Sequence, residues 1–312
     1  MTTEQEPLIQ GNQGSQTSQR AQAVDNTAVM RQVRRLAQAE GAPWLHEEVA
    51  KRMAERLSFI KMQPKSVLQW SAFLGGGAAA LAQIYPQAQQ VCVEPHADLL
   101  LRSLQQHKKP WWQVLARGKP VQVLAPEALA ADQQFDLLWA NMALHAYADL
   151  PQILALWHRG LATDGFVMFS CLGPDSFVEL RQLYAARSWS RPGPEWWDMH
   201  DIGDLMVQAG FAEPVMDQER LTLTWAEPQA MLKDLRALGG NIAPMRFAGC
   251  RGRAWQRDLL LALEDLRGPD GRLKLTVELV YGHAIKPVPN LRVTPEASLS
   301  LDQMRAMIQK TR

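Results

Sequence analysis

The chain has 312 residues, 47% of them apolar, enough for a buried core in one large domain or two small ones. Its 33 Lys and Arg nearly balance 32 Asp and Glu, so no chain-wide attraction to nucleic acid or to a membrane surface is expected. Cys92, Cys171 and Cys250 stand far apart with no CxxC pair, which argues against a disulfide framework and a structural zinc site.

Residues 1–27 are rich in Gln, Ser, Thr and Asn, hold Glu4 and Glu6, and contain no apolar core of a secretory signal. They are expected to be a disordered tail. No apolar run approaches the ~20 residues of a spanning helix. A cytoplasmic monomer follows as the expectation. Residues 28–65 form an N-terminal helical segment, in which Trp44, Leu45, Val49, Met53 and Leu57 recur at spacings of three and four.

Val67–Trp70 reads as a first strand and Ala78–Tyr85 as its helix. Gln90–Pro95 is a second strand, followed by a helix over Asp98–His107. Val121–Leu124 and Phe135–Leu144 are the third and fourth strands, with Asn141 near the end of the fourth. A helix over Leu150–Leu161 and a turn at Asp164-Gly165 lead into a fifth strand, "FVMFSCL". This alternation predicts an α/β, Rossmann-like fold with a mostly parallel seven-stranded sheet and helices on both faces.

Beyond Leu172 a helix is expected over Asp175–Arg187, then a Pro/Gly/Trp loop. A second helix, capped by His200 or Asp201, ends at Gly210. Arg220–Trp225 alternates like a strand. A helical insertion over about 226–270 holds helices at Glu227–Leu238 and Arg253–Arg267, before a last strand, Lys274–Ala284. Residues 66–286 are thus the main domain, and 287–312 a Pro-containing tail with a helix over Leu301–Lys310.

The stretch "VLQWSAFLGGGAAALAQIYP" joins the first strand to its helix through Gly75, Gly76 and Gly77. Such a strand–glycine–helix passage is where this fold cradles a nucleotide-like ligand, because glycine lets the backbone come close and take positive φ. It reads equally well as a helix start built of small residues. Glu94 ends the second strand, where a carboxylate can accept hydrogen bonds from both hydroxyls of a ribose. The alternative is a solvated glutamate before Pro95.

Three segments carry a resemblance: "FDLLWANMALHAYADLPQILALWHRGLATDGFVMFSCLGPDSFVELRQLY", "DMHDIGDLMVQAGFAEPVMDQERLTLTW" and "DGRLKLTVELVYGHAIKP". The chain resembles the class I S-adenosylmethionine-dependent methyltransferases, and more narrowly the malonyl-acyl-carrier-protein O-methyltransferases of biotin synthesis. The resemblance implies S-adenosylmethionine as cofactor and a malonyl thioester, on acyl carrier protein or CoA, as the partner whose free carboxylate is methylated. Aligned without a gap, Gln69 stands at the family's acid, Ser71 and Phe73 at its first two loop glycines and Gly75 at the third. No tyrosine occupies the N-terminal helical segment, where the family carries one. After the third strand Ala125 and Pro126, with Glu127 nearby, stand in place of an acid near the adenine.

The expected cofactor-binding residues are accordingly Ser71, Gly75, Gly76, Gly77, Glu94, Asn141 and Met142. Methylating a carboxylate needs no general base, since a malonyl carboxyl is already ionised at neutral pH. Arg181, in "ELRQ", and His145, past the fourth strand, are the candidates to grip it, with Arg159 a weaker one. Each has an ordinary structural reading beside this one. Arg246, Arg251, Arg253 and Arg257 cluster around one helix start, a face that could steer an acidic carrier or simply be solvated. Two further readings stay open: a methyltransferase-fold scaffold or regulator that has lost the cofactor, and a methyltransferase with another acceptor.

Overall fold

The pairs Val67-Leu68, Val91-Cys92 and Leu137-Leu138 put apolar side chains on both faces of their strands, as a sheet covered on both sides demands. In the computed structural model, which describes residues 24–108, 120–130 and 132–289, these segments form the centre of a seven-stranded sheet. β1 (Ser66–Trp70), β2 (Gln89–Val93), β3 (Gln122–Leu124), β4 (Phe135–Ala140) and β5 (Leu161–Leu172) run parallel. β7 (Leu273–Ile285) is antiparallel to β5 and to β6 (Ala212–Trp225). The order is β3-β2-β1-β4-β5-β7-β6, so the winding reverses between β1 and β4.

The N-terminal helical segment is two helices, α1 (Asn26–Leu36) and α2 (Trp44–Leu57). Pro43, which cannot sit in a helix interior, stands at the N-cap of α2. Asp25 caps α1 by accepting from the amides of Thr27 (2.8 Å) and Ala28 (3.2 Å), so ordered helix begins just before the expected boundary. α3 (Ala78–Ile84) and α4 (Ala97–Gln106) follow β1 and β2. α5 (Leu150–Gly160) connects β4 to β5, and α6 (Val178–Ala186) and α7 (Met199–Gln208) precede β6. Asp198 caps α7, in place of the expected His200 or Asp201, because its carboxylate reaches the His200 amide at 2.8 Å.

One sheet face, with Leu68, Leu138 and Val167, packs on Leu154 and Trp157 of α5 and Ile202 and Met206 of α7. The other, with Val67, Leu137 and Trp139, packs on Val49 and Met53 of α2 and Leu81 of α3. Each fully buried Leu, Val or Met contributes about 1.5–3 kcal/mol. β6 is 14 residues long, extending the expected strand back to Ala212. Its first half exposes Glu213, Asp217 and Gln218, which disguise it as loop, while Glu219 turns inward to Arg52 and the Tyr281 hydroxyl.

Between β6 and β7 lie α8 (Pro228–Leu238) and α9 (Arg253–Leu263), joined by a connector over residues 239–252. Four ties bind this connector to α1 and its cap, and a fifth reaches Arg236 at the end of α8. The Arg35 guanidinium donates to the carbonyls of Arg236 (2.9 Å) and Gly239, and Gln32 Oε1 accepts from the Gly240 amide at 3.1 Å. The Asp25 amide donates to the Ile242 carbonyl at 2.7 Å, and the Asp25 carboxylate pairs with Arg246. Among the described residues no helix is long and apolar enough to cross a membrane. The expected C-terminal helix, and all of the tail before Val24, lie outside the described residues.

Candidate functional site

At the carboxyl ends of β1 and β4 the chain leaves the sheet in opposite directions, which opens a crevice there. After Trp70, Ser71 takes a left-handed conformation (φ 54°), and Ala72–Gly75 makes a single helical turn. Gly76 and Gly77 continue at φ 68° and 86° into α3. A Cβ on Gly77 would sit 3.2 Å from Trp139 and 3.3 Å from Ala50 of α2. Gly76 faces Ala42 and Glu47. Gly77 therefore admits α2 against the sheet, while Gly76 has room for a side chain and is set by its positive φ. Ser71 and Gly75 border the crevice, and Gly76 and Gly77 do not.

The crevice, counting its open mouth, holds about 890 Å³ of space free of protein atoms. Its floor is Ser71, Leu74 and Gly75. One wall is Asn141, Met142, His145 and Tyr147 from the loop after β4, and another is His96 and Leu99 where α4 begins. His46 of α2 closes one side. Val29, Met30 and Val33 of α1, with Ile242 of the connector, form the roof. None of its lining residues is Lys, Arg, Asp or Glu. Phe73, at the second family glycine, turns its ring away from the crevice. The ring is buried with Val29, Val33, Leu99 and Ile242, where it acts as the post on which α1 rests.

Glu94 follows β2 and is 1% exposed. Its Oε1 accepts from the Phe73 amide (2.7 Å) and from Ser103 Oγ of α4 (2.6 Å), while its Oε2 has no partner among the described residues. Burial pushes this carboxyl up to about 7, against the two hydrogen bonds. Gln69, at the family's acid, is also buried and donates to Gln90 Oε1 across the strand pair at 3.1 Å.

Asn141 ties the site together. Its Nδ2 donates to the His46 carbonyl (2.7 Å) and to the Gly75 carbonyl, and its Oδ1 accepts from Ser170 Oγ of β5 (2.7 Å). Ser170 Oγ accepts in turn from the Met142 amide at 3.0 Å. That amide belongs to a non-glycine residue held at φ 50°, the kind of backbone strain that clusters at functional sites.

His46 and His145 meet edge to face with ring centroids 6.2 Å apart, and Trp196 stacks edge-on to His145 at 5.5 Å. His46 Nδ1 lies 2.8 Å from the Leu74 carbonyl, which assigns the proton to that nitrogen. Burial lowers His46 to about 4. Burial, with His46 nearby, lowers His145 to about 3, so both rings are neutral at pH 7. His145 Nδ1 is sealed from solvent and has no partner among the described residues. Tyr147 accepts from Trp70 Nε1 at 2.7 Å, and burial raises its phenol so that it stays protonated.

Arg181 is not brought to this crevice. Its guanidinium donates to the carbonyls of Pro174 and Ser176, closing the turn that leads into α6. Arg159 ends α5 beside the start of β5, at the amino-terminal end of the parallel strands and not at the carboxyl ends where the crevice opens. Sequence reasoning missed the roof residues of α1 and the connector, His96 and Leu99, and the polar His46 and Tyr147. Tyr147 had a signal, its place in a loop leaving a carboxyl strand end. His46 had none, because only tertiary packing carries α2 to the crevice.

No family model matches the chain. It is 41% identical over 273 residues to a malonyl-acyl-carrier-protein O-methyltransferase of Gallionella capsiferriformans, covering 86% of this chain and 93% of that protein. It is 39% identical over 269 residues to the protein of that name from Laribacter hongkongensis, covering 83% and 88%. Among solved structures, the YcgJ protein of Bacillus subtilis superposes with a TM-score of 0.51 at 13% identity, over 77% of this chain and 99% of that one. A putative methyltransferase of Bacillus halodurans gives 0.51 at 15% identity, over 76% and 100%. These two likenesses establish a methyltransferase-type Rossmann-like fold, and the identity to the first pair, sustained over most of each sequence, makes this chain a member of the malonyl-acyl-carrier-protein O-methyltransferase family.

Proposed function

We propose that the protein transfers the methyl group of S-adenosylmethionine to the free carboxylate of a malonyl thioester on an acyl carrier protein, with the CoA thioester as a second form of acceptor. The observation that carries this reading is the uncharged crevice at the β1/β4 reversal, bordered by Ser71, Gly75, Asn141, Met142 and His145. Glu94 does not itself line the crevice, but it holds the Phe73 amide of the turn that forms the floor, and its Oε2 is a buried acceptor without a partner among the described residues. A ribose whose hydroxyls reached that oxygen would supply the missing donor. In this reading residues 66–286 are the catalytic domain, and about 226–270 is an insertion whose connector completes the roof.

The cofactor, when bound, supplies a methyl group on a positively charged sulfur. The chain's task is to hold a carboxylate oxygen in line with that methyl and to exclude water, an ordering worth about 7–11 kcal/mol. The two reactants carry opposite charges that cancel as the methyl moves. A crevice without Lys or Arg leaves the carboxylate charge free to meet the sulfonium, and low polarity favours the less charged transition state. The grip is then a neutral donor, and His145 is our candidate, with the His46 ring supporting it. Asn141 and Ser170 hold the Met142 backbone that presents the same wall.

The test is direct. With the malonylated carrier and S-adenosylmethionine, the carrier should gain the mass of one methyl group. S-adenosylhomocysteine at a hundred times its Kd should raise Tm by roughly 5–8 °C. A carrier of unchanged mass together with an unmoved Tm would overturn the reading in favour of a scaffold.

His145→Phe keeps the ring packing and removes the polar contact. It should raise KM for the malonylated carrier by about tenfold or more, the worth of one hydrogen bond to a charged group, while S-adenosylhomocysteine affinity changes little. Because both imidazoles are neutral well above their lowered values, the rate should show no histidine titration between pH 6 and 8, measurable as a flat kcat profile.

A further inference from the structure

The connector and the first turns of α9 carry a charge distribution that the chemistry in the crevice does not use. Residues 239–257 contain Arg246, Arg251, Arg253 and Arg257 and no acidic residue. Arg246 is paired to Asp25. The Arg251 guanidinium sits over two rings, 4.3 Å from each of the Phe247 and Trp255 centroids. Neither Arg251 nor Arg253 has a carboxylate within 4 Å among the described residues, and Arg257 has only its exposed neighbour Asp258 at 3.9 Å. Met245 and Phe247, 72% and 47% exposed, stand beside them.

The placement runs against helix electrostatics. α9 begins at Arg253 with no acid in its first turn, so cations crowd the end where the helix dipole already presents positive charge. Cationic side chains, a positive helix end and two exposed apolar residues together make a face for an anionic partner with apolar contacts. The face also lies next to the crevice. Ile242, in the same connector, is part of its roof, and Asn241 donates to the Arg191 carbonyl at 2.6 Å beside the rings of Tyr184 and Trp255.

We propose that Arg251, Arg253 and Arg257, with Phe247 and Met245, form the docking surface for an acidic face of the acyl carrier protein, seating it where its thioester arm passes the connector into the crevice. This rests on the reading of the acceptor given above. The aromatic clamp on Arg251 keeps its guanidinium extended, so the charge is displayed before the partner arrives and less side-chain freedom is lost on docking.

The experiment compares the full-length protein with Arg253→Glu/Arg257→Glu, both exposed and outside the aromatic clamp, and with Arg251→Glu. Methylation of malonylated carrier protein and of malonyl-CoA is followed at low and at 0.3 M salt, about three times the ionic strength at which the Debye length is already ~10 Å. Tm and S-adenosylhomocysteine affinity report folding. The double variant should bind S-adenosylhomocysteine normally and raise KM for the carrier at least tenfold, with kcat little changed and malonyl-CoA turnover unaffected. Salt should weaken the carrier's KM for the original protein and hardly move it for the variant. An unchanged carrier KM in the double variant overturns the docking surface while leaving the methyltransferase reading intact. Equal losses with carrier and CoA also overturn it, since the arginines would then act on the thioester itself. No methylation of either acceptor by the unaltered protein removes the acceptor reading, and this proposal with it.

Discussion

Glu94→Gln should stabilise the ligand-free protein above pH 7 by up to about 3 kcal/mol and should weaken its hold on S-adenosylmethionine. Folding buries the carboxyl and raises it from 4.5 to about 7. The folded state therefore holds the proton more tightly than the unfolded chain. This group's contribution to stability falls as pH rises from about 4.5 towards 7 and stays at its lowest beyond. Glutamine is uncharged and escapes that penalty. It also brings one donor where Glu94 has only acceptors, so a ribose hydroxyl loses part of its partner. Urea unfolding at pH 5 and pH 8 reads the first effect as a variant whose advantage appears only at the higher pH. Titration calorimetry reads the second, as an affinity lower by about tenfold to a hundredfold, the range for one hydrogen bond to a charged group. Donor hydroxyls stabilise the carboxylate, so binding at pH 6.5 should also release a proton, visible in buffers of different ionisation heat. A variant less stable than the original at both pH values would show that the anion is already satisfied, and would sink the ribose role of Glu94. The two buried imidazoles act with the opposite sign. His46 and His145, lowered from 6.5 to about 4 and about 3, contribute stability that is complete above 6.5 and lost on acidification through those values. The difference between the original and Glu94→Gln isolates the carboxyl from them.

Asn141→Ala should be the most disruptive single change at the crevice, costing about 3–4 kcal/mol of stability. The side chain makes three hydrogen bonds, to the carbonyls of His46 and Gly75 and from Ser170 Oγ, and is 1% exposed. Alanine leaves two carbonyls and a hydroxyl without those partners in a dry interior. The loss is also geometric. Asn141 ties α2, the turn after β1 and β5 to one another, so its removal loosens the His46 and Gly75 carbonyls and, through Ser170, the Met142 backbone together, with the His46–Leu74 bond left to hold α2 to the turn. Calorimetric Tm should fall by several degrees, and S-adenosylhomocysteine affinity should drop even at temperatures where the variant remains folded. Asn141→Asp separates the two roles. It keeps the shape and the bond from Ser170 but aims a carboxylate at two carbonyl oxygens, so it should be no more stable than alanine. Full affinity in either variant would show that the Asn141 network supports the fold without shaping the site.

The strands at the centre of the sheet were legible because burial on both faces leaves consecutive apolar residues, as in Val67-Leu68 and Leu137-Leu138. β6 was half legible. Its outer half faces water on one side, and Glu213, Asp217 and Gln218 read like a loop until β7 is known to lie beside them. At the crevice, strand ends could be located by counting elements, which is why Glu94, Asn141 and Met142 stood out. What the glycines do could not be read the same way. Gly77 answers to α2, a helix brought in from a distant stretch of chain, and no local pattern signals that. Arg181 looked available because a sequence does not reveal that two backbone carbonyls already claim its guanidinium. What Phe73 does at a family glycine position was hidden for a similar reason, since the direction of its ring depends on where α1 comes to rest.

Gln32 and Arg35 of α1, with its capping Asp25, fasten one piece of the crevice roof to the other, the connector that bears Ile242. The cover is thus a single bolted assembly built from two ends of the chain, and a change that loosens either piece loosens both.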